Sequence, residues 1–253
     1  MFKTLFLTAL LSTSPATLAT TPDKGCEACV ELLKQADAPR RRFLNSVVTV
    51  HAVIVTTGKA EVVNDLELHI GSEDQLLILF KDRKGKNRKF LTHGDKSWLL
   101  VPGAKHPIAI SANQKLLGNL SFADMARVRL ANDYSGQLSA EPEPCNNAAP
   151  GAGMCRVMDI SAHARTAPYA SGTLWLDERG LVVRAVYALA SGKPARAVEH
   201  QYVWKDQAWL PKRSVIDNLL AGKHAQIITL DYLDHHGTTY TEESFDPEYV
   251  LSH

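Results

Sequence analysis

A mainly β chain of about ten or eleven antiparallel strands, arranged as a sandwich or a barrel-like sheet, is predicted by three features of the 253-residue sequence. From residue 46 onward apolar and polar residues alternate with period two, the spacing of strands that see water on one side. Short connections such as "GSED", "DRKGK", "HGD", "DERG" and "KDQ" separate the apolar runs, as hairpin turns do. No segment of roughly 20 to 50 residues repeats, which disfavours a solenoid or a propeller.

The first nineteen residues read as an export signal and not as fold. Lys3 gives a positive start, residues 4–11 an apolar centre, and Thr17-Leu18-Ala19 a small-residue cleavage site. The apolar centre is too short to span a bilayer, and no other stretch is long enough to do so. Cys26 lacks the apolar and small residues that lipoprotein processing needs just before its cysteine, so a soluble protein starting near Thr20 is expected.

Residues 21–36 predict a helix capped by Asp23, with Cys26, Cys29, Val30 and Leu33 on one apolar face, and "DAPRRR" ending it. Strands are predicted at residues 46–57, 63–70, 75–81, 88–92 and 97–101 in the first half of the chain. In the second half they are predicted at 154–162, 170–176, 181–188, 196–205, 208–217 and 224–233. Between the halves, Leu116, Leu117, Leu120, Phe122 and Met125 are spaced for a short helix or helix pair broken at Gly118-Asn119, with Ser121 and Asp124 as a cap. Over an open sheet such an insert would cover one face.

Four cysteines in an export context favour disulfides. Cys145 and Cys155 flank a Pro/Gly-rich loop and pair with each other, which leaves Cys26 with Cys29. The second pair also reads as a C-x-x-C redox motif, but that motif belongs after a strand in a βαβ unit and none precedes it.

A formal charge of +1, with no basic stripe interleaved with aromatics, argues against nucleic acid. The basic runs Arg40-Arg41-Arg42 and residues 81–89 read as a solvated loop and a hairpin tip, or as a docking patch for an acidic partner or anionic lipid. No nucleophile elbow, phosphate-binding loop, dinucleotide fingerprint or H-E-x-x-H is present, which moves the weight from catalysis to binding. His235-His236 reads as a hairpin tip, His93-Gly94-Asp95 as a turn, and Glu242, Glu243 and Asp246 as a solvated acidic end. No metal site, cofactor or catalytic residue is predicted.

The stretch "SWLLVPGAKHPIAISANQKLLGNLSFADM" resembles the strand-proline-loop-helix segment of the periplasmic outer-membrane lipoprotein-sorting proteins, the LolA/LolB-like group. Trp98, Leu100, Pro102, Ile110, Ser111, Gly118, Ser121, Phe122 and Asp124 carry the match, and "FDPEYV" closes the chain in the same style. The departures are Ala104-Lys105-His106, where the group is often strongly basic, and the loop between Cys145 and Cys155.

The resemblance implies an α+β, mainly β fold over residues 20–253: a single incomplete, strongly curved antiparallel half-barrel with short helices covering its concave face. It implies a periplasmic, monomeric, non-enzymatic carrier of lipids or lipoprotein acyl chains, with an inner-membrane transporter as donor. A lipid-sensing accessory domain for a membrane partner and a lipid-directed hydrolase are the alternatives. The cavity wall is then expected from Leu66, Leu68, Ile70, Ile78, Phe80, Trp98 and Leu100. Leu116, Leu117, Leu120, Phe122 and Met125 form the lid. The physics suits such a carrier, because about fifteen methylenes left in water cost on the order of 12 kcal/mol.

Overall fold

Two antiparallel meanders meet at a central seam. In the computed structural model residues 26–81, 88–111, 114–121, 124, 128–145, 153–222 and 225–253 are described. The first meander runs β1 (Ser46–Thr56), β2 (Val62–Ile70), β3 (Gln75–Lys81), β4 (Lys89–His93), β5 (Lys96–Leu100) and β6 (Ile108–Ile110). After the hairpin strands β7 (Lys115–Leu117) and β8 (Leu120–Ser121), a one-turn helix Leu130–Asp133 leads into β9 (Tyr134–Leu138) and β10 (Glu143–Pro144). The second meander then runs β11 (Met154–Ala162), β12 (Ser171–Leu176), β13 (Val182–Ala188), β14 (Pro194–Lys205), β15 (Ala208–Asn218) and β16 (Gln226–Gly237).

Strand β16 pairs with β1 along the whole of β1, which joins the meanders into one 14-stranded sheet, with β9 beside β11. The sheet is not closed: its path ends at β6 on one side and β10 on the other. Register shifts at Thr49/Val50, Trp175/Leu176, Tyr187/Ala188 and Gln201/Tyr202 sharpen the local twist and help to curve it. The sheet has more strands than expected because β6, β9 and β10 are too short to show alternation.

The N-terminal helix α1 (Glu27–Arg41) ends later than predicted, and the expected cap Asp23 lies outside the described residues. Its cap is Cys26, whose sulfur accepts from the Cys29 amide at 3.3 Å, and it runs through Pro39. Its buried face is Cys29, Leu32, Leu33 and Ala36, whereas Cys26 and Val30 are exposed. The two cysteines are not bonded to each other, contrary to the expected Cys26–Cys29 bridge, because the Cys26 sulfur serves as the helix cap while Cys29 packs inward. The Cys145–Cys155 disulfide is present, with Cα atoms 4.9 Å apart.

On the inner face, which carries α1 and the β7–β8 hairpin, two apolar clusters form. One joins Val48, Val50, Leu66, Ile78 and Phe80 to the hairpin leucines. The other joins α1 to Met158, Ile160, Leu174 and Leu176. Across β3–β5 the outer face is also covered. There a 3-10 turn (Glu242–Phe245) and the helix Pro247–Ser252 bury Leu77, Leu91, Leu100, Phe245 and Val250. Gly71 makes room for Phe245, since a Cβ at that position would lie 2.5 Å from the ring. The C-terminal segment packs through Phe245 and Val250, while Glu242, Glu243 and Asp246 are exposed as expected, with Asp246 accepting the Tyr249 amide at 2.9 Å. His235 and His236 are not a hairpin tip but lie within β16, opposite Val48 and Val47.

Candidate functional site

Between the inner face and its covering segments lies a cavity of about 230 Å³. Helix α1, the hairpin's Leu120, Asp124 and Val128 form its cover, and β2 and β13–β16 its floor. Phe43, Leu68, Leu76, Val198, Ile216 and Leu230 give it apolar walls.

The predicted site residues divide between the faces. Leu66, Leu68, Ile70, Ile78, Phe80, Leu116, Leu117 and Leu120 are brought together on the inner face. Of these, Leu68, Ile70 and Leu120 line the cavity, and the others fill the core beside it. Trp98 and Leu100 do not belong to the wall: they pack with Leu77, Leu91 and Phe245 on the outer face. The reason is register. Leu91 stands opposite Trp98 and Phe90 opposite Leu99, so Leu99 is the β5 residue that reaches the inner cluster. Phe122 and Met125 lie outside the described residues.

The first piece of the covering segment is a β-hairpin where a helix was expected, whereas the expected cap of the second piece is present: the Ser121 amide donates to Asp124 at 2.6 Å and the Asp124 amide to the Ser121 hydroxyl at 3.2 Å. Leu117 pairs with Leu120 around the two-residue turn Gly118-Asn119. Gly118 has φ +59°, a conformation that favours glycine at the first turn position. The hairpin rests close on the sheet: the Gln226 side chain accepts the Asn119 amide at 2.5 Å and donates to Thr56 at 2.9 Å.

Below the hairpin a buried ion pair ties cover to floor. Arg196 on β14 reaches Asp124 at 3.4 Å, with the two side chains only 12% and 8% exposed. The same guanidinium donates to the Asn119 carbonyl at 2.9 Å. The Asp124 carboxylate also accepts from the Ser121 amide at 2.6 Å and from the Tyr169 hydroxyl. Tyr169 stacks on Tyr187 with ring centroids 4.9 Å apart. Burial, and for Tyr169 also the Asp124 charge, pushes both hydroxyls well above the usual phenol range, so both stay protonated.

Helix α1 holds the other rim. Asp37 accepts the amides of Leu130 and Ala131 at 3.1 and 2.8 Å, and Arg40 donates to the Val128 carbonyl at 2.8 Å. Burial raises the Asp37 carboxyl and lowers Arg40, each opposed by the partner's charge. Arg40 is therefore neither a solvated loop residue nor part of an open basic patch. Its neighbour Arg41 pairs with Glu73 at 3.1 Å.

Deeper along β14–β16, the His200 Nδ1 lies 2.8 Å from the Ser214 hydroxyl. His200 opens onto the cavity but is withdrawn from bulk water, and this burial pushes its pKa down to about 4. It is thus neutral near pH 7. The Tyr202 hydroxyl donates to the Val182 carbonyl at 2.8 Å. Among the described residues no carboxylate bonds the other nitrogen of the His200 ring.

Sequence reasoning missed these polar wall residues. The signal was present in "RAVEHQY", where Arg196, Val198, His200 and Tyr202 share one face of β14. A row with so few apolar members does not announce itself as inward. Its neighbours on β13, β15 and β16 make it so.

The model of a family described as an uncharacterized protein matches residues 71–250. Among solved structures the chain is similar to a LolA superfamily protein from Nitrosomonas europaea, with TM-score 0.74, 19% identity, and coverage of 87% of this chain and 98% of that one. A DUF1329 family protein from Desulfovibrio piger gives TM-score 0.71 and 15% identity, covering 89% and 98% of the two chains. A Vibrio parahaemolyticus domain described as an outer membrane lipoprotein-sorting protein gives 0.70 and 16%, covering 90% and 99%. No curated protein matches.

Proposed function

The chain belongs to the family whose model spans residues 71–250 and has the LolA-type fold, and from that premise we propose that it is a periplasmic carrier of lipids or lipidated proteins. The observation that carries this reading is the covered inner-face cavity. Its apolar walls are shielded by a hairpin and a helix that pack on the sheet through their own apolar side chains and are tied down by a few polar contacts, while the sheet beneath has its own continuous hydrogen bonding. A cover of this construction moves aside for an acyl chain without unfolding the floor. The chain is sheltered at about 0.8 kcal/mol per methylene. The lipoprotein-sorting description of the Vibrio domain favours cargo of this class. Among the described residues no helix is long and apolar enough to cross a membrane, in keeping with a carrier that works in water. The residues before Cys26 supply the export signal in this account.

Titration with an uncharged fluorescent naphthylamine probe tests it. The probe should brighten on binding and be displaced by long-chain lipids, and Leu120→Asp should weaken it at least tenfold while circular dichroism keeps its β signature. A probe that stays dark at all protein concentrations would sink the carrier reading.

A further inference from the structure

The charges around the cavity cancel locally. Arg196 is matched by Asp124, Arg40 by Asp37 and Arg41 by Glu73. Among the described residues no cation is left over at the wall to receive an anionic headgroup, and His200 adds none near neutral pH. Two uncharged polar groups remain without a hydrogen bond to any described residue: the Tyr187 hydroxyl on β13 and the His200 Nε2 on β14.

Both residues line the cavity. Tyr187 stands beside Arg196 in the β13–β14 register, and His200 lies four residues further along the strand, with Val198 between on the same face. Their backbone positions are therefore roughly 13 Å apart along the strand direction. The hydrogen bond behind His200 can run in either direction. If Ser214 donates to Nδ1, then Nε2–H is a donor; if Nδ1–H donates to Ser214, Nε2 is an acceptor. The ring is neutral in both arrangements. A hydroxyl or an ester can satisfy these groups, whereas a carboxylate or phosphate would lose its water for donors that carry no charge.

We propose that the cavity selects neutral amphiphiles, lipids whose buried polar groups are hydroxyls or esters of the acylglycerol type, over anionic lipids with the same chain. The inference rests on the carrier reading, and its test separates the two.

The test is calorimetric binding of monopalmitoylglycerol and of palmitate to the whole protein at pH 8, below the micelle threshold of each, with the uncharged naphthylamine probe as reference. The glyceride should bind roughly tenfold or more tightly than palmitate. Tyr187→Phe and His200→Phe together should erase most of that preference, bringing the glyceride's affinity to within about twofold of palmitate's. Equal binding of the two ligands, or tighter binding of palmitate, overturns the proposal and leaves the carrier reading intact. Loss of all binding, the probe's included, overturns both. The comparison on the unaltered protein stands by itself should the double variant fail to fold.

Discussion

His200 is held against its own titration. Its folded pKa of about 4 lies below the unfolded value near 6.5, so the unfolded chain binds the proton first. The associated stability is complete above pH 6.5 and is lost as the pH falls from there toward 4. Since the ring opens onto the cavity, the full shift is discounted to about 2 kcal/mol. His200→Gln should accordingly flatten the stability difference between pH 7 and pH 4.5 relative to the parent, as read by urea denaturation; an unchanged difference would place the acid sensitivity elsewhere. Arg196 makes the opposite kind of contribution, as a charge that needs its partner. Arg196→Met leaves the Asp124 carboxylate buried with only Ser121 and Tyr169 as donors, at a cost of about 3 kcal/mol in the same measurement.

At the scale of elements, the hairpin and the disulfide should behave differently. Leu117 is 2% exposed in the inner cluster, and Leu117→Asp should free the hairpin from the sheet, raising amide exchange at residues 115–121 and weakening lipid-probe binding while β1 and β16 keep their protection. Replacing Cys145 and Cys155 by serine removes a staple from a loop of ten residues' separation and should cost about 2 to 3 kcal/mol. Probe affinity should not change, because that bridge packs with Val157 and Trp175, away from the cavity.

The same elements show what could be read from the chain in advance. Long strands with alternating faces, such as β2 with Leu66, Leu68 and Ile70 against Asp65 and Glu67, disclose both their place and their inward side. Strand β5 does not: "KSWLL" is apolar at three consecutive positions, so its sidedness comes from pairing with β4 and from the C-terminal cap, and Trp98 turns outward. Leucines 116, 117 and 120 fit a helix and a hairpin equally well by spacing, and the Gly-Asn turn decides. The Cys26–Cys29 spacing permits a bridge, yet in the first turn of α1 the sulfur is used as a cap.

Across the whole molecule, the β1–β16 seam makes one sheet of two meanders and fixes the floor, while α1 and the hairpin are held over it from opposite sides. The polar groups that tie the cover together and to the floor come from segments far apart in sequence, such as Asp37 with Leu130 and Asp124 with Arg196, which is why this half of the site was not legible in any single stretch. The fold class was, since it depends on local alternation and turn chemistry. The central claim, a covered cavity that carries hydrophobic cargo, is tested most directly by native mass spectrometry of protein isolated without detergent from the cell envelope, followed by extraction of whatever it holds. The account predicts an adduct of lipid mass that is released on extraction and reduced in the Leu117→Asp protein. A bare polypeptide mass, with no extractable lipid from either protein, would contradict it.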